Sequence, residues 1–525
     1  MATEVQSSEG MPAKAGIILA TLIGVATVAN LNLAVANVAL PDIGRHFDAS
    51  QTAINAVAVG FSLGLAATVL WLGALGDRYG RKTMLLLGMG LSVPACLISG
   101  FAPNVGVLIF GRVLGGVAAG MAFPTTLALI TALWAGRHRT KAIALWSGIG
   151  GAMSALGPLV AGALLLHFWW GSVFLITVPL AVAGFLAAWA FVPAHINEDD
   201  SPVDNLGGIL SVVMVAAAVI AITLAPEPGA GTTAIIIGLV AVAAVGAFVL
   251  RQRRAAFPLY DLKLAGRRTF WVAAVAGILV FGALVGAMFI GQQYLQNVLG
   301  YSTWTAGLSI IPTAVFMVVS APISARIIER RGSRDALLVG FVAVGLGFLV
   351  MLLLWKQDTS FMFVALAYSL LGIGVGIAGP PASQSLTESV PVPRAGMASA
   401  TADLQRDLGG AILQAILGAV LTAGYAKSFT KQIADAPTSV TDSVTSQLTK
   451  SFSSAENIAM QYPQYADQIV TAAKQSFVDG QQVSFAVGIV SMLIGLAVVW
   501  FGFPTKNAET ELVAGYRRSD ETVSA

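Results

Sequence analysis

Fourteen long apolar segments constrain the fold of this chain more than any other feature of its sequence. A helix needs about 20 mostly apolar residues to cross the hydrocarbon core of a bilayer. Charged residues make up only 10% of the 525 positions, against about 25% in an ordinary soluble domain. The composition therefore excludes a water-soluble fold and predicts an all-α membrane protein with fourteen transmembrane helices. The segments are 15–40, 52–73, 83–102, 106–133, 142–166, 171–192, 207–224, 232–250, 270–297, 306–327, 336–355, 361–386, 396–426 and 480–503.

The distribution of positive charge predicts the orientation of these helices. Lys and Arg are enriched in the cytoplasmic loops of membrane proteins. With a cytoplasmic N-terminus, 21 of the 29 Lys and Arg residues fall in cytoplasmic segments and six in outer segments. We therefore expect a multi-pass membrane protein with this orientation. Both tails, residues 1–14 and 504–525, are predicted to be cytoplasmic.

The sequence contains no pattern typical of an enzyme or a metalloprotein. Its one cysteine, Cys96, excludes an internal disulfide. Its four histidines lie in polar connections, with no metal-ligand spacing. No Gly-rich phosphate loop or nucleophile motif is present. We expect no catalytic residue, no metal, no cofactor and no nucleic-acid partner.

An internal repeat divides the chain. Asp77-Arg78-Tyr79-Gly80-Arg81-Lys82 recurs 252 residues later as Glu329-Arg330-Arg331-Gly332-Ser333-Arg334. A second echo pairs 139–142 with 394–397, at an offset of 255. The repeat predicts a six-helix half at 15–192 and another at 268–503, with a helix pair at 207–250 inserted between them. Internal repeats are typical of transporters, whose binding site lies near the membrane midplane between the repeats.

One outer loop, residues 427–479, is long and polar. Apolar residues recur at helical spacing in two stretches of it, which predicts two short amphipathic helices. These helices would form a cap over the outer mouth, or alternatively a gate or a docking element. The residues that carry the pattern are Val440, Val444, Leu448, Phe452, Ile469, Ala473 and Phe477.

Four ionisable residues lie deep in predicted spans: Arg112, Asp403, Arg406 and Asp407. A charge in a membrane span is costly and marks a functional site by default. Asp403 and Asp407 are four residues apart and share one helix face, roughly 13 and 20 Å deep. They can act as proton carriers that also attract a cation. Alternatively, Arg406 neutralises Asp403 in a structural pair, and Arg112 is a structural ion pair or a backbone clamp.

Five stretches resemble the motifs of one transporter family. The loop after the second span resembles the signature loop of the major facilitator superfamily, and the stretch in the fifth span resembles a motif of its antiporter branch. The other three resemble its fourteen-helix drug:proton antiporters of the QacA/EmrB type. The stretches are Gly73-Ala-Leu-Gly76-Asp77-Arg78-Tyr-Gly80-Arg81-Lys82-Thr83, Gly157-Pro158 with Gly162, Leu31-Asn32 with Asn37-Val-Ala-Leu-Pro41, 294–312 and 394–410. The resemblance covers residues 15–503.

The chain departs from the family pattern at several positions. Asn32 stands where many members carry an acid, so the first span lacks a protonatable group. Met153 and Ala161 replace glycines of the fifth-span motif. Asp407, with Asp403 one turn earlier, resembles the acids of the quaternary-ammonium exporters, whereas many EmrB-like members carry Gln at position 407.

The resemblance implies a monomeric antiporter of the bacterial plasma (inner) membrane that exports lipophilic, cationic drugs in exchange for protons. Its partners would be small-molecule substrates, protons and the lipid bilayer. An exporter of an endogenous lipid, siderophore or metabolite is the alternative, and a receptor or scaffold that has lost transport is less favoured. The implied residues are Asp407, Asp403 and Arg112 for proton coupling, Asn32, Asp403 and Asp407 for the substrate cavity, and Gly73, Gly76, Asp77, Arg78, Gly80, Arg81, Gly157 and Pro158 for conformational change.

Overall fold

A computed structural model describes residues 11–47, 51–194, 202–224, 230–434 and 441–524. Within these ranges the chain forms twenty α-helices and no β-strand. The helices are α1 (Ala15–Phe47), α2 (Gln51–Tyr79), α3 (Arg81–Gly100), α4 (Val105–Leu133), α5 (Gly136–Leu165), α6 (Ser172–Leu175), α7 (Thr177–Phe191), α8 (Asn205–Leu224), α9 (Gly231–Arg254), α10 (Leu262–Ala265), α11 (Arg268–Asn297), α12 (Thr303–Leu308), α13 (Ile311–Arg331), α14 (Ser333–Leu354), α15 (Phe361–Glu388), α16 (Ala395–Ala434), α17 (Asp442–Leu448), α18 (Phe452–Gln461), α19 (Ala466–Gly502) and α20 (Lys506–Ser524).

Fourteen helical stretches in the described part of the chain are long and apolar enough to cross a membrane. They coincide with the fourteen predicted segments, so the predicted fold class is confirmed. The sixth span is interrupted between α6 and α7, and the tenth between α12 and α13. The thirteenth span is α16 and the fourteenth is α19.

The spans pack into two bundles. In the first, α1 packs on α5, and α4 packs on both α2 and α3. In the second, α14 packs on α15, and α16 packs on α11 and α19. Contacts between the bundles run mainly through α5 with α13 and α2 with α16. A site between the bundles is therefore lined from both sides by long helices.

Equivalent turns occur at both copies of the internal repeat. Gly80 separates α2 from α3 with φ +103°, and Gly332 separates α13 from α14 with φ +92°. Residues other than glycine rarely adopt this backbone conformation. Two tight helix–helix turns 252 positions apart thus need glycine for the same reason, which matches the repeat seen in the sequence.

The pair α8–α9 packs against the side of α2. Trp71 Nε1 donates a hydrogen bond of 3.2 Å to Asn205 Oδ1 at the start of α8. An ion pair of 3.0 Å between Arg251 and Asp204 joins one end of the pair. The outer surface of α9 exposes large apolar side chains such as Leu239 and Val242, which is the surface expected of a lipid-facing helix.

The structure of residues 427–479, the predicted outer loop, differs from its prediction. Two short helices, α17 and α18, are present, but the second apolar stripe, with Ala473 and Phe477, lies on α19, which begins at Ala466. The helix α16 also continues into the predicted loop, as far as Ala434. The error arose because polar residues extend both spans beyond the hydrophobic limit by which the spans were recognised. Val440 lies outside the described residues.

Candidate functional site

The carboxylate of Asp77 connects the two bundles. It lies in the last turn of α2 and accepts hydrogen bonds from Arg81 Nε and Nη2, at 3.2 and 2.9 Å. It also accepts the backbone N–H of Gly396, at 2.8 and 3.0 Å from its two oxygens. The first N–H groups of a helix have no partner within that helix, and the helix dipole favours an anion there. Asp77 therefore caps the first turn of α16.

Further polar contacts join the bundles at the same end. Arg81 Nη2 donates to the carbonyl of Val392, at 2.7 Å. Gln384 Nε2, on α15, donates to Thr140 Oγ1 of α5, at 2.9 Å. We refer to the contacts that Asp77 and Arg81 make with Val392 and Gly396 as the Asp77 latch. The two bundles are therefore in direct polar contact at the Asp77 end.

The second copy of the repeat makes a weaker contact. Glu329 occupies the position that corresponds to Asp77, and its carboxylate lies 3.6 Å from Arg137 Nη2 at the start of α5. The Arg137 side chain is 65% exposed, so solvent screens this pair. The two bundles are thus joined by related but unequal contacts.

The motif glycines lie at close helix approaches. A Cβ added to Gly73 would lie 2.9 Å from the Gly396 carbonyl oxygen. A Cβ added to Gly157 would overlap Ala34 of α1. Pro158 follows inside α5 without ending the helix. Gly76 lies beside Met84, whereas Arg78 stacks on the ring of Tyr79, 5.6 Å from its centroid.

Arg112 is buried in the first bundle, where it is 2% exposed. Its Nη1 donates to the carbonyl of Asn32, at 2.8 Å, and its Nε to that of Val57, at 3.3 Å. Its guanidinium also lies 5.0 Å from the ring centroid of Phe61 and 5.4 Å from that of Phe174. These bonds to backbone carbonyls agree with the backbone-clamp interpretation.

Asn32 lies with Arg112 and is only 5% exposed. Its Oδ1 accepts a hydrogen bond from Thr177 Oγ1, at 3.2 Å, and one from the Cys96 thiol, at 3.6 Å. All of these partners belong to the first bundle. A role for Asn32 in a substrate cavity stays a prediction.

Asp403 and Asp407 are on α16, where this helix packs against α2 and α4 of the first bundle and α11 of the second. Asp403 is 1% exposed, and neither of its carboxylate oxygens receives a hydrogen bond from the described residues. Asp407 is partly exposed, and its Oδ2 is also without a donor in the described chain. Arg406 Nη1 lies 3.9 Å from Asp403 Oδ1, beyond hydrogen-bond distance. The predicted neutralising pair is therefore present but loose.

Three aromatic rings surround the Arg406 guanidinium, and sequence reasoning did not identify them. Its Cζ lies 4.7 Å from the ring centroid of Trp146, 4.9 Å from that of Phe281 and 5.4 Å from that of Phe123. A cation within about 6 Å of an aromatic ring centroid is attracted to the face of the ring. The rings come from α5, α11 and α4, so no local spacing in the sequence could have brought them together. We call these three residues the aromatic cage.

The fold and this arrangement define a multi-pass membrane transporter built from two helical bundles. The sequence pattern of the Major Facilitator Superfamily matches residues 22–413, and the chain belongs to this superfamily. Its members are transporters and not enzymes.

Bacterial efflux proteins are similar to the chain over most of its length. Multidrug efflux pump LfrA of Mycolicibacterium smegmatis is 33% identical over 408 residues, which are 77% of this chain and 81% of that protein. Multidrug resistance protein Stp of Mycobacterium tuberculosis is 32% identical over 73% of this chain and 71% of its own. The crystal structure of the human organic anion transporter MFSD10 superposes with a TM-score of 0.60 over 94% of this chain and 100% of its own, at 13% identity. That similarity shows a shared fold.

Proposed function

We propose that the protein is a proton-coupled antiporter that exports lipophilic, cationic drugs by alternating access. One observation carries the proposal: both carboxylate oxygens of Asp403, and Oδ2 of Asp407, are buried between the two bundles without hydrogen-bond donors from the described chain. A buried charge that lacks partners is costly. Such a carboxyl group is suited to exchange between a proton and a substrate cation.

The relatives support drug export. LfrA and Stp carry names that describe multidrug efflux and resistance. A further relative, at 29% identity over 75% of this chain, is the tetracenomycin C resistance and export protein of Streptomyces glaucescens. Similarity at this level favours the same broad activity in this chain.

Alternating access would proceed by opening the Asp77 latch. The latch joins α2 to the start of α16, the helix that carries Asp403 and Asp407. Movement of α16 on opening would therefore change the surroundings of both acids. In this way the proposed proton sites and the proposed gate belong to one element.

The coupling step follows from competition for the same carboxyl groups. A protonated acid is neutral and does not attract a cation, whereas a bound cation favours the ionised form. By thermodynamic linkage, substrate lowers proton affinity as much as protons lower substrate affinity. We assign the principal coupling role to Asp407 and a lesser one to Asp403, because Arg406 lies beside Asp403. Arg112 would act by fixing the first bundle.

The remaining predictions form part of the proposal. The bundles at 15–192 and 268–503 would move against each other as rigid halves, with 207–250 at the side. The Asp77 end and both tails would face the cytoplasm of a bacterial cell, with the monomer in its inner membrane. The basic residues of the 78–82 loop support this orientation.

A dye-efflux screen tests the proposal. Cells that express the chain are loaded with ethidium, a lipophilic cation, and efflux is followed with and without a protonophore. We expect efflux that the protonophore abolishes. Efflux that the protonophore does not affect would exclude proton coupling. Absence of transport for every dye tested would favour an endogenous lipid, siderophore or metabolite as substrate, or a receptor or scaffold role.

A further inference from the structure

We propose that the aromatic cage of Phe123, Trp146 and Phe281, with the carboxylates of Asp403 and Asp407, is the binding site for the cationic group of the substrate. In this structure the site is occupied by the protein's own cation, the guanidinium of Arg406. The inference rests on the proposed function and names the site where a substrate cation is held. Arg406 would occupy the cage between transport cycles and leave it when substrate binds.

The cage has the geometry of a cation site. Three ring centroids lie within 5.4 Å of one guanidinium carbon. Two of the rings, Phe123 and Trp146, belong to the first bundle, and Phe281 belongs to the second. The indole of Trp146 is fixed by a hydrogen bond of 2.9 Å from its Nε1 to Thr126 Oγ1. The cage therefore spans the interface between the bundles and changes when they move apart.

Arg406 is held only loosely in the cage. Its Nε is buried without a hydrogen-bond acceptor in the described chain, and its nearest carboxylate, that of Asp403, is 3.9 Å away. The guanidinium of Arg81, by comparison, makes hydrogen bonds of 2.9 and 2.7 Å to Asp77 and Val392. A guanidinium that lacks such charge-assisted hydrogen bonds is held less firmly than one that makes them. The contacts of Arg406 are therefore those of a reversible occupant of the cage more than those of a structural clamp.

The chemistry of the site favours one class of ligand. Aromatic faces attract cations whose charge is spread over apolar groups and which lose little hydration on entry. The carboxylates of Asp403 and Asp407 lie on the same helix and supply the opposite charge. A monovalent lipophilic cation, such as a quaternary ammonium or phosphonium, matches both features. Neutral and anionic compounds lack the charge that the cage and the acids bind.

Competition with Arg406 would lower the apparent affinity for substrate. The apparent dissociation constant equals the intrinsic one divided by the fraction of protein in which the site is vacant. A guanidinium that occupies the cage most of the time would therefore weaken binding and also fill the cage when substrate has left. Removal of the guanidinium should tighten binding while the rings remain.

The test measures binding of tetraphenylphosphonium to the purified full chain in lipid nanodiscs, by equilibrium dialysis. Arg406→Gln should lower the dissociation constant by about tenfold, the scale of one or two cation–π contacts. Arg406→Lys keeps the positive charge and should stay closer to the wild type. Phe281→Leu should raise the dissociation constant several-fold. Arg326→Gln, at an exposed position of α13, and Phe348→Leu, in the core of the second bundle, are matched controls and should not change it.

The double variant Arg406→Gln/Phe281→Leu separates cage occupancy from a change in net charge. If the guanidinium occupies the cage, the gain from Arg406→Gln should largely disappear when the Phe281 ring is absent. An equal gain with and without the ring would overturn the proposal. So would an unchanged or weakened affinity in folded Arg406→Gln, or an equal gain for neutral triphenylphosphine oxide. If wild-type protein binds and exports tetraphenylphosphonium but Arg406→Gln shows no gain, only this inference fails. If the wild type neither binds nor exports it, the proposed cationic substrate class fails.

Discussion

The backbone N–H of Gly396 donates a hydrogen bond of 2.8 Å to the carboxylate of Asp77, although the two residues are 319 positions apart. The bond joins the end of α2 to the start of α16 and is buried. A Cβ on Gly396 would lie 2.5 Å from Asp77 Oδ2, so only glycine permits this approach. The latch therefore depends on two side-chain identities, an acid at 77 and no side chain at 396.

Asp77→Asn should weaken the latch and slow transport while leaving membrane insertion intact. The amide keeps an acceptor oxygen but loses the charge that pairs with Arg81 and with the α16 N-terminus. A lost charged hydrogen bond of this kind costs about 1–3 kcal/mol, which shifts a two-state equilibrium by roughly one to two powers of ten. Spin-label distances between the ends of α2 and α16 would measure the open population, together with dye-efflux rates.

Two further variants test the specificity of that result. Gly396→Ala should produce the same opening through steric overlap. Glu329→Gln should have a smaller effect, because the partner of Glu329, Arg137, is 65% exposed. If Asp77→Asn kept the wild-type distance between the ends of α2 and α16 and the wild-type efflux rate, the proposed role of the latch would be contradicted.

The glycine at position 157 should be far less replaceable than that at 162. In Gly157→Ala the new methyl group would overlap Ala34, so α1 and α5 must separate, at a cost of about 1–3 kcal/mol. In Gly162→Ala the nearest atom, Trp304 Cε3, is 3.6 Å from the new Cβ, which is an ordinary contact. That variant should be neutral or slightly stabilised, since alanine favours helix by about 0.5–1 kcal/mol. Thermal denaturation in detergent measures the stability of the two variants. Equal melting temperatures would refute the close approach of α1 and α5 at Gly157.

The sequence predicted the fourteen spans and the Asp77 loop because hydrophobic length and glycine turns are local properties. The sequence also predicted that Asp403 and Asp407 lie within a span, since a charge within an apolar run is visible in one stretch of chain. It did not identify the aromatic cage, because Phe123, Trp146 and Phe281 look like ordinary core residues until the helices are packed. The sequence predicted only a tail at residues 504–525, although α20 lies there. The contacts of α20 with Glu329 and Ser333 join positions more than a hundred residues apart, which local patterns do not reveal.

Docking of α20 should weaken as the pH rises. Glu509 Oε2 accepts the N–H of Ser333 at 3.1 Å, but burial, with a smaller contribution from the carboxylate of Glu388, raises the pKa of Glu509 above its usual range. Undocked Glu509 would ionise at a lower pH than docked Glu509. The docked state is therefore most favoured below the ordinary carboxyl pKa and loses stability as pH rises through the raised value.

Hydrogen exchange of residues 506–524, corrected for intrinsic rates, measures this docking. Protection should fall with rising pH in the wild type and should become nearly independent of pH in Glu509→Gln. Glu511→Gln is the matched control, because Glu511 is exposed on the same helix. The same pH dependence in Glu509→Gln as in the wild type would rule out this carboxyl group as its origin.

Residues 435–465 of the predicted outer loop should be dispensable for membrane insertion but should contribute to the stability of the fold. Phe452 and Ile458 of α18 are buried against α19, and the Phe452 ring packs edge-on to Phe477, with centroids 6.3 Å apart. Replacement of 435–465 by a Gly/Ser linker should leave insertion unchanged and lower the melting temperature. Phe452→Ala should lower it as well, since such changes cost about 3–5 kcal/mol. Loss of membrane insertion on loop replacement would contradict the cap interpretation.

Substrate-induced proton release tests the central claim most directly. Purified protein in weakly buffered detergent solution is mixed with tetraphenylphosphonium, and the released protons are measured with a pH indicator. The account predicts release by the wild type, little or none by Asp407→Asn, and an intermediate amount by Asp403→Asn, whose site Arg406 already neutralises in part. It also predicts that Asp407→Asn no longer exports cations against a gradient in proteoliposomes. Wild-type proton release and wild-type export by Asp407→Asn would contradict the proposed mechanism.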